Sequence, residues 1–546
     1  MRWRDLCKLI SNFLLLFSAV LLIPIGVSIY FEFFQVDPLH PPYLATVSFI
    51  GTLGISFGLA LLLRFIGRKT EGQLYRRESL LLVPIVWIIT SVISALPFVF
   101  TGTIKEPINA LFESVSGLTT TGATIIYPKA FDNVSHEEVP VTTKSLVGKE
   151  YQFNGTITPL RTPDGHEIIL EGLDAVSKPI LFWRSFMQWI GGLGIIFLFI
   201  AIFPALAIGG KFLYEAEITG PFKEALTPRI KETASYLWKI YLGLSLLEIL
   251  CLRVFNHSMP LFDAITITFS NISTGGFSIH EKSIGFYNHH PTEWIVMLFM
   301  FLGAINFSLI FFALRGKLYR LFDPELLLFL GVIISSAAII SILLFRSDFA
   351  SASLLTEVST YFDKLRTSLF QFLSSITSTG FFTANYDLWP WGAQSVMLLS
   401  MFIGGMSGST AGGIKMVRHL ISFRTIKHKI ESLFRPEAVR ALKIRNREIP
   451  MKTVTSVFIF FWVVIVLAAI ATLLLVLDGI DPRTSFGLIA CSINNVGLSF
   501  DAAGPMSTCA FMPAFSKIVM ILCMLLGRLE FYAFLIILTP RFWKSR

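Results

Sequence analysis

The feature that most constrains this chain is a short glycine-centred turn that returns four times, each time behind an apolar segment and a short amphipathic one. It reads SGLTTTGAT at residues 116–124, NISTGGFS at 271–278, ITSTGFFT at 376–383 and INNVGLSF at 493–500. Aligned on Gly122, Gly275, Gly380 and Gly497, the two preceding positions are Thr120 and Thr121, Ser273 and Thr274, Ser378 and Thr379, and Asn495 and Val496. Self-similarity of this kind outranks local signals in deciding a fold. A single such turn is an ordinary loop; four in register need one explanation.

The surroundings of these turns are oily. Of 546 residues, 54% are hydrophobic and 15% charged, against roughly a quarter charged in soluble domains, so the chain reads as a polytopic membrane protein. Apolar runs of about 20 residues agree, since a helix needs that many to cross the hydrocarbon layer. The net charge of +9 does not point to nucleic acid, because the basic residues gather in loops that topology makes cytoplasmic. Five scattered Cys offer neither a disulfide framework nor metal-ligand spacing. His257, His280, His289 and His290 lie toward external ends without helical pairing, which argues against an intramembrane enzyme. The first apolar segment leads directly into further spans and reads as a span rather than a cleavable signal.

Residues 9–30 and 43–66 read as two spans, and Arg68, Lys69, Arg76 and Arg77 in the loop that follows place the N-terminus in the cytoplasm. Four units follow, each a span, a re-entrant-length piece, the turn and a second span. The spans are 80–100 with 179–206, 233–255 with 293–314, 326–345 with 391–420, and 453–477 with 513–540. Ten spans and four external dips leave both termini inside, with the basic loops on one side: Lys211, Lys223, Arg229 and Lys231, then Arg315, Lys317 and Arg320, then the run from Lys415 to Lys452. The expected fold is therefore all-α, with four pseudo-repeated units around one pore, preceded by two extra transmembrane helices. Its divisions are an N-terminal two-span domain at 1–79, pore repeats at 80–210, 211–320, 321–450 and 451–546, and an external polar insertion at 126–178 with short strands near Tyr151–Ile157.

Pieces too short to cross must dip in and return, and irregular backbone at that depth is tolerated only inside protein or beside a water-filled cavity. The four turns should thus converge. Carbonyls from convergent loops can replace the water of a monovalent cation, glycine permits the backbone angles this needs, and the C-terminal ends of the short helices favour positive charge. No acidic residue sits inside the turns, which counts against a divalent-cation site. Asp387 and Asp501, just past two turns, are candidates for enriching cations at the mouth. Arg184 reads as an interfacial anchor; Asp263 and Glu113 lie in the dipping helices, where an Asp near a helix N-terminus compensates the dipole and a vestibule role is the alternative.

A second feature lies in the third unit, where Gly404, Gly405, Ser407, Gly408, Ser409, Thr410, Gly412 and Gly413 interrupt a span with five glycines. A helix should loosen there, although close packing through small residues is the alternative. Arg528 sits mid-span, where a guanidinium needs acceptors; carbonyls of the 404–413 loop would serve, and an internal pair with Glu530 is the rival reading.

With these residues in view the chain resembles the Trk, Ktr and HKT superfamily of K+ transporters, and within it the TrkH and TrkG type that carries two leading spans. The marks are the four turns, RSFMQWIGG at 184–192 and GGMSGSTAGGIK at 404–415. The resemblance implies K+ bound at Thr120, Thr121, Gly122, Ser273, Thr274, Gly275, Ser378, Thr379, Gly380, Asn495, Val496 and Gly497. It implies an intramembrane gating loop at 404–413, a homodimer in a bacterial inner membrane, and a cytoplasmic TrkA-like ring. Gly122 leans toward K+, because a Ser there accompanies Na+ transport in the HKT branch. No covalent cofactor is implied, and ATP, ADP or NAD would act only through the ring. Na+ transport or Na+-coupled K+ transport within the same superfamily is the alternative, with proton coupling open and an intramembrane enzyme the remote alternative; a receptor or scaffold gives no reason for four dipping turns.

Overall fold

The computed structural model describes residues 3–35, 44–70, 76–132, 137–161, 168–194, 230–346, 361–434, 442–444 and 447–544. The expected basic residues Lys211, Lys223 and Arg229, and the later half of the 179–206 span, lie outside them. Two leading helices, Trp3–Val20 with its continuation Leu22–Ile29, and Ala45–Ile66, pair through small polar residues. Ser18 donates to Ser56 Oγ at 2.9 Å and Ser11 to the Ala60 carbonyl at 2.7 Å. Lipid gives apolar faces no reason to associate, so small residues and hydrogen bonds hold such pairs.

In chain order, long helices alternate with short ones. Arg76–Phe100, Ile230–Phe255, Pro324–Arg346 and Met451–Leu477 are followed by Pro107–Leu118, Leu261–Ile272, Tyr361–Ile376 and Pro482–Asn494. The short helices have 12 to 16 residues, which at 1.5 Å per residue falls short of a bilayer. Their starts are written in the sequence. Pro107 and Pro482 occupy the first helical position, where a missing N–H costs nothing, and Asp481 caps its helix by accepting from Arg483 and Thr484. Each short helix is buried along most of its length, so these helices face protein rather than lipid.

Ten spans were expected, one of them interrupted at 404–413, and here the structure differs in part. Among the described residues five helices are long and apolar enough to cross: Trp3–Phe34, Ala45–Ile66, Arg77–Phe100, Pro324–Arg346 and Met451–Leu477. Ile230–Phe255 has the length but carries Glu232, Lys239, Glu248 and Arg253. Among the described residues the segments expected to close the second, third and fourth units are broken. His290–Ala304 and Phe307–Leu314 meet at 102°, because Ile305 is extended and the Asn306 side chain caps the new helix through Ser308 N. Trp391–Met401 stops before the glycine-rich loop and resumes as Met416–Phe434, while Ala514–Arg528 ends at Glu530 and Phe531, both left-handed.

The external insertion forms three two-stranded antiparallel ribbons, the longest pairing Val141–Lys144 with Glu150–Phe153. The strand expected near Tyr151 is therefore present but starts at Glu150 and ends at Phe153. The ribbon is fastened to the start of the fourth short helix, where Tyr151 donates to Asp481 Oδ2 at 2.9 Å and accepts from Asp481 N at 2.9 Å. Tyr151→Phe removes both bonds and is expected to lower stability by about 1–3 kcal/mol, read as a lower thermal midpoint of the purified protein; an unchanged midpoint would mean the ribbon is held elsewhere.

Candidate ion filter and gate

The four short helices end alike. Thr121 N donates to the Ser116 carbonyl, Gly275 N to Ser270, Thr379 N to Ser374 and Val496 N to Cys491, all at 2.8–3.0 Å. The residue before each is left-handed, with φ of 55° at Thr120, 54° at Thr274, 55° at Ser378 and 53° at Asn495. The residue after each is a glycine at φ of 84°, 72°, 89° and 81°, namely Gly122, Gly276, Gly380 and Gly497. This corrects the sequence alignment by one residue in the second turn: Gly276, not Gly275, takes the place of Gly122. Ser273 falls one step earlier, level with Thr119, Thr377 and Asn494. Two adjacent glycines gave the sequence no means of choosing.

A left-handed threonine or serine is strained, and each turn carries side-chain supports against it. Thr119 and Thr377 share hydrogen bonds with Thr121 and Thr379 at 2.8 Å. Ser116 and Ser374 donate to the carbonyls of Ala123 and Phe381 at 2.5 and 2.6 Å. The second turn has no hydroxyl at Gly275, and Gln188 supplies the support, donating to the Gly275 carbonyl at 2.7 Å and accepting from Phe277 N at 3.0 Å. Gln188 lies inside the 184–192 motif, which the sequence marked without assigning it a role. In the fourth turn Asn495 donates to Thr121 Oγ1 at 2.9 Å and to the Met524 carbonyl at 3.0 Å.

The turns meet in cyclic order. A methyl group built on Gly122 would lie closer than 3.0 Å to the Gly275 carbonyl oxygen, one on Gly276 to that of Thr379, one on Gly380 to that of Val496, and one on Gly497 to that of Thr121. Each glycine thus packs against the carbonyl of the residue before the next glycine, and the fourth returns to the first. All four glycines line one cavity of about 350 Å3 that opens toward the insertion. Among the described residues no group of three His, Cys, Asp or Glu is placed to hold a metal, so the donors this arrangement offers a cation are carbonyl and hydroxyl oxygens, behind four helix C-termini of negative polarity.

At the mouth the acidic side chains are not the expected ones. Glu171 and Glu281 line the cavity, whereas Asp387 and Asp501 do not; Asp501 N donates to Asp387 Oδ1 at 3.3 Å and Leu146 N to Asp501 Oδ1 at 2.5 Å. Burial, reinforced by Asp174 and Glu171, pushes the Glu281 carboxyl up to about 7. His280 bridges Asp174 at 2.5 Å and Asp263 at 3.6 Å; burial would lower its pKa, but the two carboxylates raise it to about 9. Arg184 is not an interfacial anchor. It is 1% exposed, pairs with Glu113 at 2.8 Å, donates to the Ser278 carbonyl at 2.8 Å and lies 4.1 Å from the Phe277 ring centroid. Glu113 in turn accepts from Thr124 Oγ1 and Ile125 N, so the pair fastens the first turn to the second.

Under the ring lies the glycine-rich loop. Gly412 N donates to Ser378 Oγ at 2.6 Å, Gly413 N to the Asn494 carbonyl at 2.8 Å, and Thr410 Oγ1 to the Ile272 carbonyl at 3.0 Å. Met406 N and Thr410 N reach the carbonyls of Ala304 and Gly303, Ser407 N reaches Glu325 Oε1, and the Gly408 carbonyl accepts from Phe307 N across the 102° bend. Gly404 and Gly405 pack against Gly412–Gly413 and Ala411, and Ser409 closes onto the Met406 carbonyl. Arg528 does reach the loop, donating to the Thr410 carbonyl at 3.1 Å, and it also binds Thr120 Oγ1 at 3.1 Å and the carbonyls of Gly191 and Gly192 at 2.6 Å. Glu530 pairs with Arg418 at 2.6 Å.

A helical multi-pass membrane protein whose buried backbone turns close on one cavity of oxygen donors is built as a cation transport protein would need to be, and comparison with known proteins gives that class. The family model described as TrkH, cation transport protein, matches residues 165–545. The Trk system potassium uptake protein TrkH of Salmonella typhimurium is 32% identical over 550 residues, spanning all of both chains, and TrkG of Escherichia coli is 34% identical over 482 residues, 88% of each. The crystal structure of the potassium transporter TrkH from Vibrio parahaemolyticus superposes with a TM-score of 0.78 at 30% identity, covering both chains fully. The chain belongs to the TrkH family, whose members are transporters and not enzymes.

Gly276→Ala is expected to depress rubidium uptake at least about tenfold further than Gly275→Ala, because only the former combines a left-handed backbone with a backbone neighbour; equal losses would restore the sequence alignment. Arg184→Met is expected to destabilise by about 3–5 kcal/mol by stranding the Glu113 carboxylate, and Glu113→Leu in the same protein should recover part of it, as read by thermal unfolding.

Proposed function

We propose that the protein takes up K+ across a bacterial inner membrane through a selectivity filter built from its four turns. The chain then divides as 1–79, 80–210, 211–320, 321–450 and 451–546, four span, dip, turn and span units around one pore, with both termini cytoplasmic. The observation that carries this reading is the cycle of four glycines, each seated against the next turn's carbonyl. The relatives named as potassium uptake proteins support K+ as the cargo, and so does glycine at position 122.

The filter consists of Thr120–Gly122, Thr274–Gly276, Ser378–Gly380 and Asn495–Gly497, a set shifted by one residue in the second turn. Residues 404–413 act as the gate. Lying beneath three of the four turns and bonded to them, the loop obstructs the path inward, and Arg528 holds it there while adding a positive barrier. A homodimer and a cytoplasmic TrkA-like ring complete the assembly; nucleotide reaches the gate through that ring.

Rubidium and sodium flux into vesicles tests the cargo: Na+ permeating as readily as K+ overturns K+ selectivity. Arg528→Ala removes bonds to Thr410, Gly191, Gly192 and Thr120 and is expected to raise flux without the ring by about tenfold or more, on the order of one lost charge-assisted hydrogen bond of about 1.5–3 kcal/mol; unchanged or lower flux at equal expression removes Arg528 from the gate.

A further inference from the structure

Glu248 lies within the 26-residue helix Ile230–Phe255, about two turns from its end, and is fully buried. An intramembrane carboxyl is costly unless it serves a purpose. Its side chain meets the second filter turn from behind: Asn271 Nδ2 donates to Glu248 Oε1 at 2.6 Å and to the Val296 carbonyl at 3.1 Å, while the Asn271 carbonyl accepts from Thr274 N at 2.8 Å. One residue thus links the outer and inner helices of this region, through its side chain, to the strained Thr274, through its backbone carbonyl.

Two atoms of this pair have no partner among the described residues, Glu248 Oε2 and Asn271 Oδ1. Both are acceptors when the carboxyl is ionised, and no charged side chain of the packed helices Leu261–Ile272, His290–Ala304 and Phe307–Leu314 faces it. A single proton on Oε2 supplies the one donor the arrangement lacks. A carboxylic acid and a primary amide then form a reciprocal pair, amide N–H to acid carbonyl and acid O–H to amide carbonyl, leaving neither oxygen unsatisfied.

We infer that Glu248 is an intramembrane proton-binding site, held as the neutral acid by Asn271 behind the second filter turn. Loss of the proton breaks the reciprocal pair and leaves a buried anion against the residue that caps Thr274, so ion passage through that turn depends on the site's occupancy. The transport consequence rests on the reading of the turns as a filter; the proton site itself does not.

Infrared spectra of the purified wild type and Glu248→Gln in vesicles test the site. Wild type is expected to show a buried carboxylic-acid carbonyl band that the variant lacks; no difference overturns the proposal, whether or not the protein carries K+. Glutamine keeps both hydrogen bonds without a proton to lose, so its rubidium uptake at neutral pH should stay within about twofold of wild type and persist at alkaline pH where wild-type uptake declines. Coincident pH profiles overturn the coupling to transport. Asn271→Leu, which removes the amide, is expected to shift the acid band and keep it; a band unmoved by that change places the proton elsewhere.

Discussion

Everything in this structure depends on one constraint, that a backbone carbonyl taken to membrane depth must find a partner. Helices meet it internally, and the short helices here stop short of crossing, so their final carbonyls and the turns beyond them have no internal solution. The chain solves this in two directions. On the lower side, N–H groups and hydroxyls of the 404–413 loop and the guanidinium of Arg528 take up carbonyls at Ile272, Asn494, Gly191 and Gly192. On the upper side, the turn carbonyls press together around a polar cavity, where a partly dehydrated cation is the natural complement. The same shortage of donors that threatens the fold is what makes the site.

Strain is concentrated where this happens. Four left-handed non-glycine residues at about 1–3 kcal/mol each persist because hydroxyls, Gln188 and Asn495 over-determine them. The supports differ from turn to turn. Hydroxyl pairs serve the first and third, an amide from a neighbouring helix serves the second, and an asparagine within the turn serves the fourth. The turns therefore share backbone geometry while their side-chain scaffolds are individual.

The recurrence of Gly122, Gly380 and Gly497 was legible in the sequence because glycine at a left-handed position is nearly irreplaceable. Gly276 was not, since its neighbour Gly275 satisfies the same pattern and only hydrogen bonding separates them. The 404–413 loop was legible as a glycine-rich break, and the Arg528 contact with it followed from the need of a buried guanidinium for acceptors. The breaks at Ile305–Asn306 and Glu530–Phe531 were missed, because the polar residues there, Asn306, Arg528 and Glu530, do not by themselves decide between a helix that bends and one that continues. Arg184 was misread as an anchor because its partner Glu113 is 71 residues away, a separation that local pattern does not bridge. Asp387 and Asp501 were close in number to the turns, yet the chain folds them onto each other and away from the cavity.

The ring of glycines has a mechanical corollary. Four rigid pieces joined end to end by four tight contacts, all belonging to one polypeptide, behave as a closed four-bar frame: no joint can open without another changing its angle. A distortion imposed at the Val496 corner, where the frame meets the loop through Asn494, is therefore shared with the opposite corner, Gly275, by the frame as well as by the loop's own bond to Ile272.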